Sequence, residues 1–451
     1  MISDEEFISI LSDYNFWGKK PYTGILREFY INKILKILNG INIVTESGLR
    51  RSGKSFISLQ VASSFIQNGY YPEDILIINF DDERLDNNIK TLDNIYNAYK
   101  KLIKKTDNNV IIIDEAQEVS GWEKFVRTYS EKIKFIITGS SSKLLSSEFS
   151  TLLSGRSINI TVTPLSFKEY LAFNDIIING VKDMGINLEN ILKYLELYIK
   201  YGGMPAPTLY PDIHEELIKS YFDTIILKDI MDRYKIREGD KLKFLIKYYL
   251  TNISSLITYN SIYKSVKNTL LLPLKSIQRY TEYIESSGLI FFTKKFSYSL
   301  KEQENSPKKV YSIDNAFSYY FGYNFMENKG KFIENTIAQE FIRLKNLIPF
   351  LELYYYRENS YEIDFVVKIK NTIIPVQASY IIDENNIKRE IKGIIDFSEK
   401  FKIKSGIVIN YNINGDKNYD GIKIKFIKLH DWFINSYNYI MNYEGIENKL
   451  Q

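Results

Sequence analysis

The stretch that most constrains this chain is Gly48-Leu49-Arg50-Arg51-Ser52-Gly53-Lys54-Ser55, set between an apolar run, INIVTES (41–47), and a helical pattern, FISLQVASSFIQ. It matches G-x-x-x-x-G-K-[ST] in the setting that gives the pattern physical meaning. A strand ends, glycines let successive backbone N–H groups curl around phosphate oxygens, and the next helix adds its partial positive end. Lys54 is then placed for β- and γ-phosphates and the Ser55 hydroxyl for Mg²⁺. Such a turn needs a sheet beneath it. DILIINF (74–80), NVIIIDE (109–115) and KFIITGS (134–140) are Ile/Val-rich runs separated by helical segments. Unalternating runs of this kind belong to a parallel sheet buried on both faces, so the first part of the chain reads as α/β.

The run at 109–115 ends on two carboxylates, Asp114 and Glu115. A buried strand puts Asp114 at its tip, where it completes the Mg²⁺ shell, and leaves Glu115 to polarise the attacking water. Thr138 and Ser140, in IITGSS, either sense the γ-phosphate or satisfy a strand-end turn with their hydroxyls. Arg156, in LLSGRS, either neutralises charge on the transferred phosphoryl, in its own chain or toward a neighbour, or is a surface arginine after a glycine turn. The expected ligands are ATP and Mg²⁺, with nucleotide contacts from Gly48, Arg50, Arg51, Ser52, Gly53, Lys54 and Ser55.

Composition narrows the chemistry further. The 451 residues hold no cysteine and two histidines, His214 and His430, which leaves no disulfide, thiolate metal site or cysteine nucleophile. The histidines read as a helix-start residue and a core-edge residue. Trp17, beside Phe16, reads as a packing aromatic, with a place beside adenine as the alternative. No apolar run approaches a membrane span, and the acidic start MISDEEFISI is unlike a signal peptide, so a cytoplasmic protein without a membrane partner is expected.

The motifs GLRRSGKS, IIIDEAQEV, TGSSSKLL, LSGR, TPLSFKEY and YGGMP follow one another in this order, and KKVYSIDNAF and FIENTIAQEF come later. In this the chain resembles archaeal and bacterial AAA-like ATPases that carry an uncharacterised C-terminal domain. The resemblance implies an ATPase core (1–164), a helical lid (165–240), a winged helix (241–328) and a nuclease-like terminal domain (329–451). The helical patterns after Pro164, LENILKYLELYIKYGG among them, suit the second of these.

Residues 261–310 also read as a winged helix on their own terms. Ile262 and Val266 mark one helix face, TLLLP a turn, and Leu274, Ile277 and Ile284 the buried stripe of the next helix. That helix turns Lys275, Gln278 and Arg279 outward, and Lys294, Lys295, Lys308 and Lys309 line the expected wing. The segment holds nine basic residues against four acidic, while the whole chain carries +4. Contact with double-stranded DNA is one reading, and a solvated face on a protein-binding module is the other.

The end of the chain, EIDFVVKIKNTIIPVQAS (362–379), is similar to nucleases of the PD-(D/E)XK type. In that pattern a helix gives a Glu, one strand an Asp, and the next strand a carboxylate and a lysine two residues apart, because positions i and i+2 share a strand face. Glu334 fits the helix position and Asp364 the strand position. Gln377 and Ser379 stand where the second acid and the lysine belong, so negative charge and a cationic group are missing. Glu362 supplies a second acid only if the strand tip curls inward, and Lys368 and Lys370 point from the wrong end. A degenerate frame used for binding or packing is therefore expected. Three uses compete: an ATP-driven DNA-binding machine, a nucleotide-controlled switch that associates with a protein or with itself, and an ATP-regulated metal-dependent nuclease.

Overall fold

The computed structural model describes residues 2–139, 153, 155–323, 328–358, 361–443 and 446. The chain forms two units, Met1–Thr163 and Pro164–Gln451.

The first unit is built on five parallel strands, β1 (Ile43–Ser47), β2 (Ile75–Asn79), β3 (Val110–Asp114), β4 (Lys134–Thr138) and β5 (Ser157–Thr161), in the order β2-β3-β4-β1-β5. Successive side chains leave opposite faces of a strand, and each face meets its own helical layer. Ile111, Ile113, Phe135 and Ile137 pack with Trp122 and Tyr99. Val44, Ile112 and Ile136 pack with Ile57 and Val61 of the helix Lys54–Gln67. Double burial explains why the runs lack alternation. Four strands fall where the apolar runs predict them. β5 was not expected, because SINIT alternates and is only partly buried, as suits an edge strand. Trp17 packs against the first of these layers and donates Nε1–H to Ile75 O at 3.1 Å, the packing role.

The second unit opens with helices, including Phe167–Phe173, Leu188–Tyr201 and His214–Thr224. It continues through the helix Gly239–Thr251, β6 (Ser255–Ile257), the helices Tyr259–Leu270 and Leu274–Ser286, β7 (Ile290–Lys295), and β8 (Lys308–Ser312). The polar tip KEQEN between β7 and β8 lies in the short helix Leu300–Asn305, whose start is capped by Ser299 accepting from Glu302 N–H. After the long helix Lys329–Leu347 come β9 (Leu351–Glu358), β10 (Tyr361–Ile369), β11 (Thr372–Ala378), the helix Ile387–Phe401, β12 (Ser405–Asn410), β13 (Gly415–Tyr419), β14 (Ile422–Lys428) and the helix Leu429–Met441.

All nine strands share one sheet, ordered β13-β14-β12-β11-β10-β9-β7-β8-β6. β7 runs parallel to β9 with Lys294 beside Tyr354, so the hairpin and the C-terminal strands are continuous. β13 lies inside NYNINGDKNYD, which reads as a loop; it is a polar, largely exposed edge strand and has no apolar alternation to betray it. The core of this unit joins Phe341, Phe365, Val376 and Trp432 to Leu165, Tyr198 and Tyr311.

Candidate nucleotide site and the C-terminal acidic cluster

The turn 48–55 leaves the carboxyl end of β1, as expected. Gly48 has φ +144°, and a Cβ there would meet Val162 O at 2.1 Å, so only glycine allows β5's following residue to close on the turn. Gly53 (φ +101°) starts the helix Lys54–Gln67, whose first N–H groups face the turn. Lys54 is buried, and its ammonium donates to Gly48 O and Leu49 O, both at 3.1 Å. Ser52 Oγ is buried with no hydrogen-bond partner among the described residues, an orphaned group inside a phosphate-shaped turn.

Asp114 stands at the tip of β3. Burial pushes its carboxyl up, while hydrogen bonds from Thr138 and Ser55 oppose that shift. Ser55 and Asp114 together offer a hydroxyl and a carboxylate, a set that fits Mg²⁺, which takes few protein oxygens and leaves the rest to phosphate and water. Glu115 follows in the left-handed region at φ +53°, an uncommon conformation for this residue type, and its N–H donates to Thr138 Oγ1 at 3.2 Å. The Gln117 amide holds the Glu115 carboxylate.

Ser140 lies outside the described residues. One expectation changes. Arg156 precedes β5, which runs parallel to β1 with Ser157 beside Ile43 and Thr161 beside Ser47. It therefore lies at the amino edge of the sheet, roughly 15 Å along the strands from the phosphate turn. Arg156 does not neutralise a phosphoryl in its own chain.

Sequence reasoning missed two buried groups. Arg27 donates from Nη1 to Ser52 O (2.8 Å) and from Nη2 to Thr163 O (3.1 Å), and its guanidinium lies 4.6 Å from the Tyr30 ring. It braces the phosphate turn from behind. Glu46, on β1, is fully buried, accepts from Ser58 Oγ at 3.1 Å, and is pushed up to about 8 by burial. A helix start at Glu28 gives no hint of a buried Arg27, and a carboxylate inside IVTES looks like a strand end.

In the second unit the outward helix face is as expected, with Lys275 and Arg279 exposed and Gln278 half-buried. The wing differs. Lys294 pairs with Glu304, and Lys295 with Glu302 at 2.7 Å, so the Leu300–Asn305 helix neutralises both. Lys308 is half-buried beside a cavity of about 320 Å³ that Gln278, Tyr259 and Phe292 also line. Lys309 is no surface contact at all: it is 2% exposed. Adjacent lysines on a strand face opposite ways, and on β8 it is Lys309 that faces inward.

Lys309 Nζ lies 2.8 Å from Glu334 Oε1, 2.8 Å from Glu362 Oε1 and 2.9 Å from Asp364 Oδ1. Glu362 and Asp364 do share a face, next to a register shift between β10 and β9 at Ile363/Val366. The other oxygen of Asp364 accepts from Ala378 N–H at 3.0 Å, and Gln377 Oε1 accepts from Asp364 N–H at 3.4 Å. Tyr311 donates its hydroxyl to Glu334 at 2.7 Å. Burial pushes Glu334 up to about 8 against the pull of Lys309. Burial alone would lower Lys309, but Asp364 and Glu334 outweigh it and hold the ammonium well above its usual range. Lys368 pairs instead with Glu352 at 2.8 Å, away from this cluster. The position that a nuclease layout gives to a metal is taken here by the Lys309 ammonium, among Glu334, Glu362 and Asp364.

Comparison with known proteins agrees with the α/β core. A family model described as an AAA domain matches residues 41–171, and two domains of unknown function, DUF8612 and DUF4143, match 192–324 and 329–432. An uncharacterized protein of Haemophilus influenzae is 28% identical over 91% of this chain and 98% of its own. Among solved structures, the Walker-type ATPase PABY2304 of Pyrococcus abyssi aligns with 66% of this chain and 95% of that one at 16% identity and a TM-score of 0.42. The uncharacterized protein MJ1544 of Methanocaldococcus jannaschii is 33% identical over 85% of each chain. Residues 41–171 thus match an AAA domain, and this chain belongs to one family with MJ1544.

Proposed function

We propose that the protein binds ATP at Gly48–Ser55 and hydrolyses it. The observation that carries this reading is the meeting of Lys54, Ser55, Asp114, Glu115 and Thr138 at the carboxyl ends of β1, β3 and β4. On binding, Lys54 exchanges its two turn carbonyls for phosphate oxygens, and the N–H groups of 52–55 close around them. Ser55 and Asp114 would hold Mg²⁺, which would supply charge neutralisation on the phosphates. Glu115 accepts the proton as the water oxygen bonds to the γ-phosphorus and the bond to the bridging oxygen breaks. Thr138 fixes the carboxylate of Asp114 and the backbone of Glu115, which is a positioning role.

The domain division 1–164, 165–240, 241–328 and 329–451 assigns the nucleotide to the first part and a winged helix to the third. The element order helix, β6, two helices, β7 and β8 supports that assignment. On this reading the exposed Lys275 and Arg279 face DNA, and turnover is coupled to that contact. The internal pairing of Lys294 and Lys295 favours the second reading, a nucleotide-controlled switch that holds a protein partner. The test is the ATPase rate with and without duplex DNA at low salt, beside Lys54→Ala. Stimulation by duplex supports the DNA reading; steady turnover without stimulation supports the switch; no turnover in the wild type, or turnover kept in Lys54→Ala, refutes the site.

A further inference from the structure

We infer that the Lys309 ammonium is the resident cation of the cluster Glu334–Glu362–Asp364, and that it has made this module an ion-locked joint in place of a metal-dependent cutting site. A lysine carries three N–H donors and no acceptor. Here three carboxyl groups lie at 2.8, 2.8 and 2.9 Å from the nitrogen, so every donor has its own oxygen partner. A divalent ion taking the same oxygens would sit against that ammonium, and like charges at such a separation repel strongly where water is scarce. Neighbouring groups hold the cluster as well: Asp364 Oδ2 accepts from Ala378 N–H, Gln377 Oε1 accepts from Asp364 N–H, and Tyr311 adds a second donor to Glu334 Oε1. Lysine and metal are thus alternatives for one position.

The absence of a lysine at Ser379 takes on a different meaning. The cation comes from β8, which β7 and β9 separate from β10 in the sheet order. Lys309 ties this hairpin strand to the helix Lys329–Leu347 and to β10 at once. The same joint is reinforced by Asn335, which donates to Ser312 O at 3.0 Å and accepts from Ser312 N–H at 2.8 Å. Helix, hairpin and C-terminal strands therefore move together, and the acids serve rigidity.

The full-length protein is titrated calorimetrically with Mn²⁺ in the absence of nucleotide, as wild type, Asp364→Asn, Lys309→Met and Lys309→Met/Asp364→Asn. The expected result is that Asp364→Asn removes no site the wild type shows, that Lys309→Met gains one site at least tenfold tighter than any in the wild type, and that the double variant loses it. A wild-type Mn²⁺ site that Asp364→Asn removes would overturn the inference, whether or not the Lys309 variant folds. So would a folded Lys309→Met that gains no site.

Discussion

Lys309 and Asp364 are 55 residues apart in sequence and 2.9 Å apart in space, both almost wholly buried. Removing one partner of such a pair leaves the other charge without compensation in a poor solvent. Asp364→Asn is therefore expected to lower stability by about 3–5 kcal/mol. Glu362, one-third exposed, gives a far smaller loss on change to Gln, under ~1 kcal/mol. Denaturant unfolding of the two variants checks the ranking; equal losses would contradict it.

Glu46 sets a pH dependence. Its folded carboxyl titrates near 8, against 4.5 as the ordinary value, so the folded state binds the proton more tightly. The stability it contributes is full below about 4.5 and is lost as pH rises to about 8. Glu46→Gln keeps an acceptor for Ser58 and removes the titration. Its melting temperature should gain on the wild type across this window and hold a constant difference above it. A difference independent of pH would contradict the assignment.

If the helix Leu274–Ser286 meets duplex DNA, its two exposed cations carry the contact. Lys275→Ala/Arg279→Ala should reduce the slope of log K against log salt by about 2. Lys294→Ala should change it less, because Glu304 already holds that ammonium. Fluorescence anisotropy across a salt series measures both slopes, and equal reductions would count against the proposed face.

Gly202 sits at φ +73°, and a Cβ there would lie 1.8 Å from Asp314 Oδ1. Asp314 in turn accepts from Gly203 N–H at 2.8 Å and Ala316 N–H at 2.9 Å, fastening the YGGMP turn to the loop after β8. Gly202→Ala should cost on the order of 3 kcal/mol, and Gly69→Ala, also left-handed but in open space, only ~1 kcal/mol. Thermal unfolding distinguishes them.

What the sequence reveals depends on how local the signal is. The phosphate turn and the strand ending in Asp114-Glu115 are legible because each is a short contiguous pattern with one stable geometry. The buried stripe Ile277–Ile284 is legible for the same reason, as a helical period. Arg27 and Glu46 are not, since their partners Ser52, Thr163 and Ser58 meet them only after folding. Lys309 is the sharpest case. Its neighbour Lys308 and a basic background suggest a solvated wing, whereas its partners come from a helix and a strand of the following segment. Strand alternation alone says that one of the two lysines faces inward, but not which.

On the proposed mechanism Glu115 takes the proton from water at a site where Lys54 holds the phosphates. Its most direct test is ATP binding and single-turnover hydrolysis in Glu115→Gln. Wild-type affinity with hydrolysis slowed roughly 10²–10⁴-fold is expected, and hydrolysis at the wild-type rate would contradict the role of Glu115.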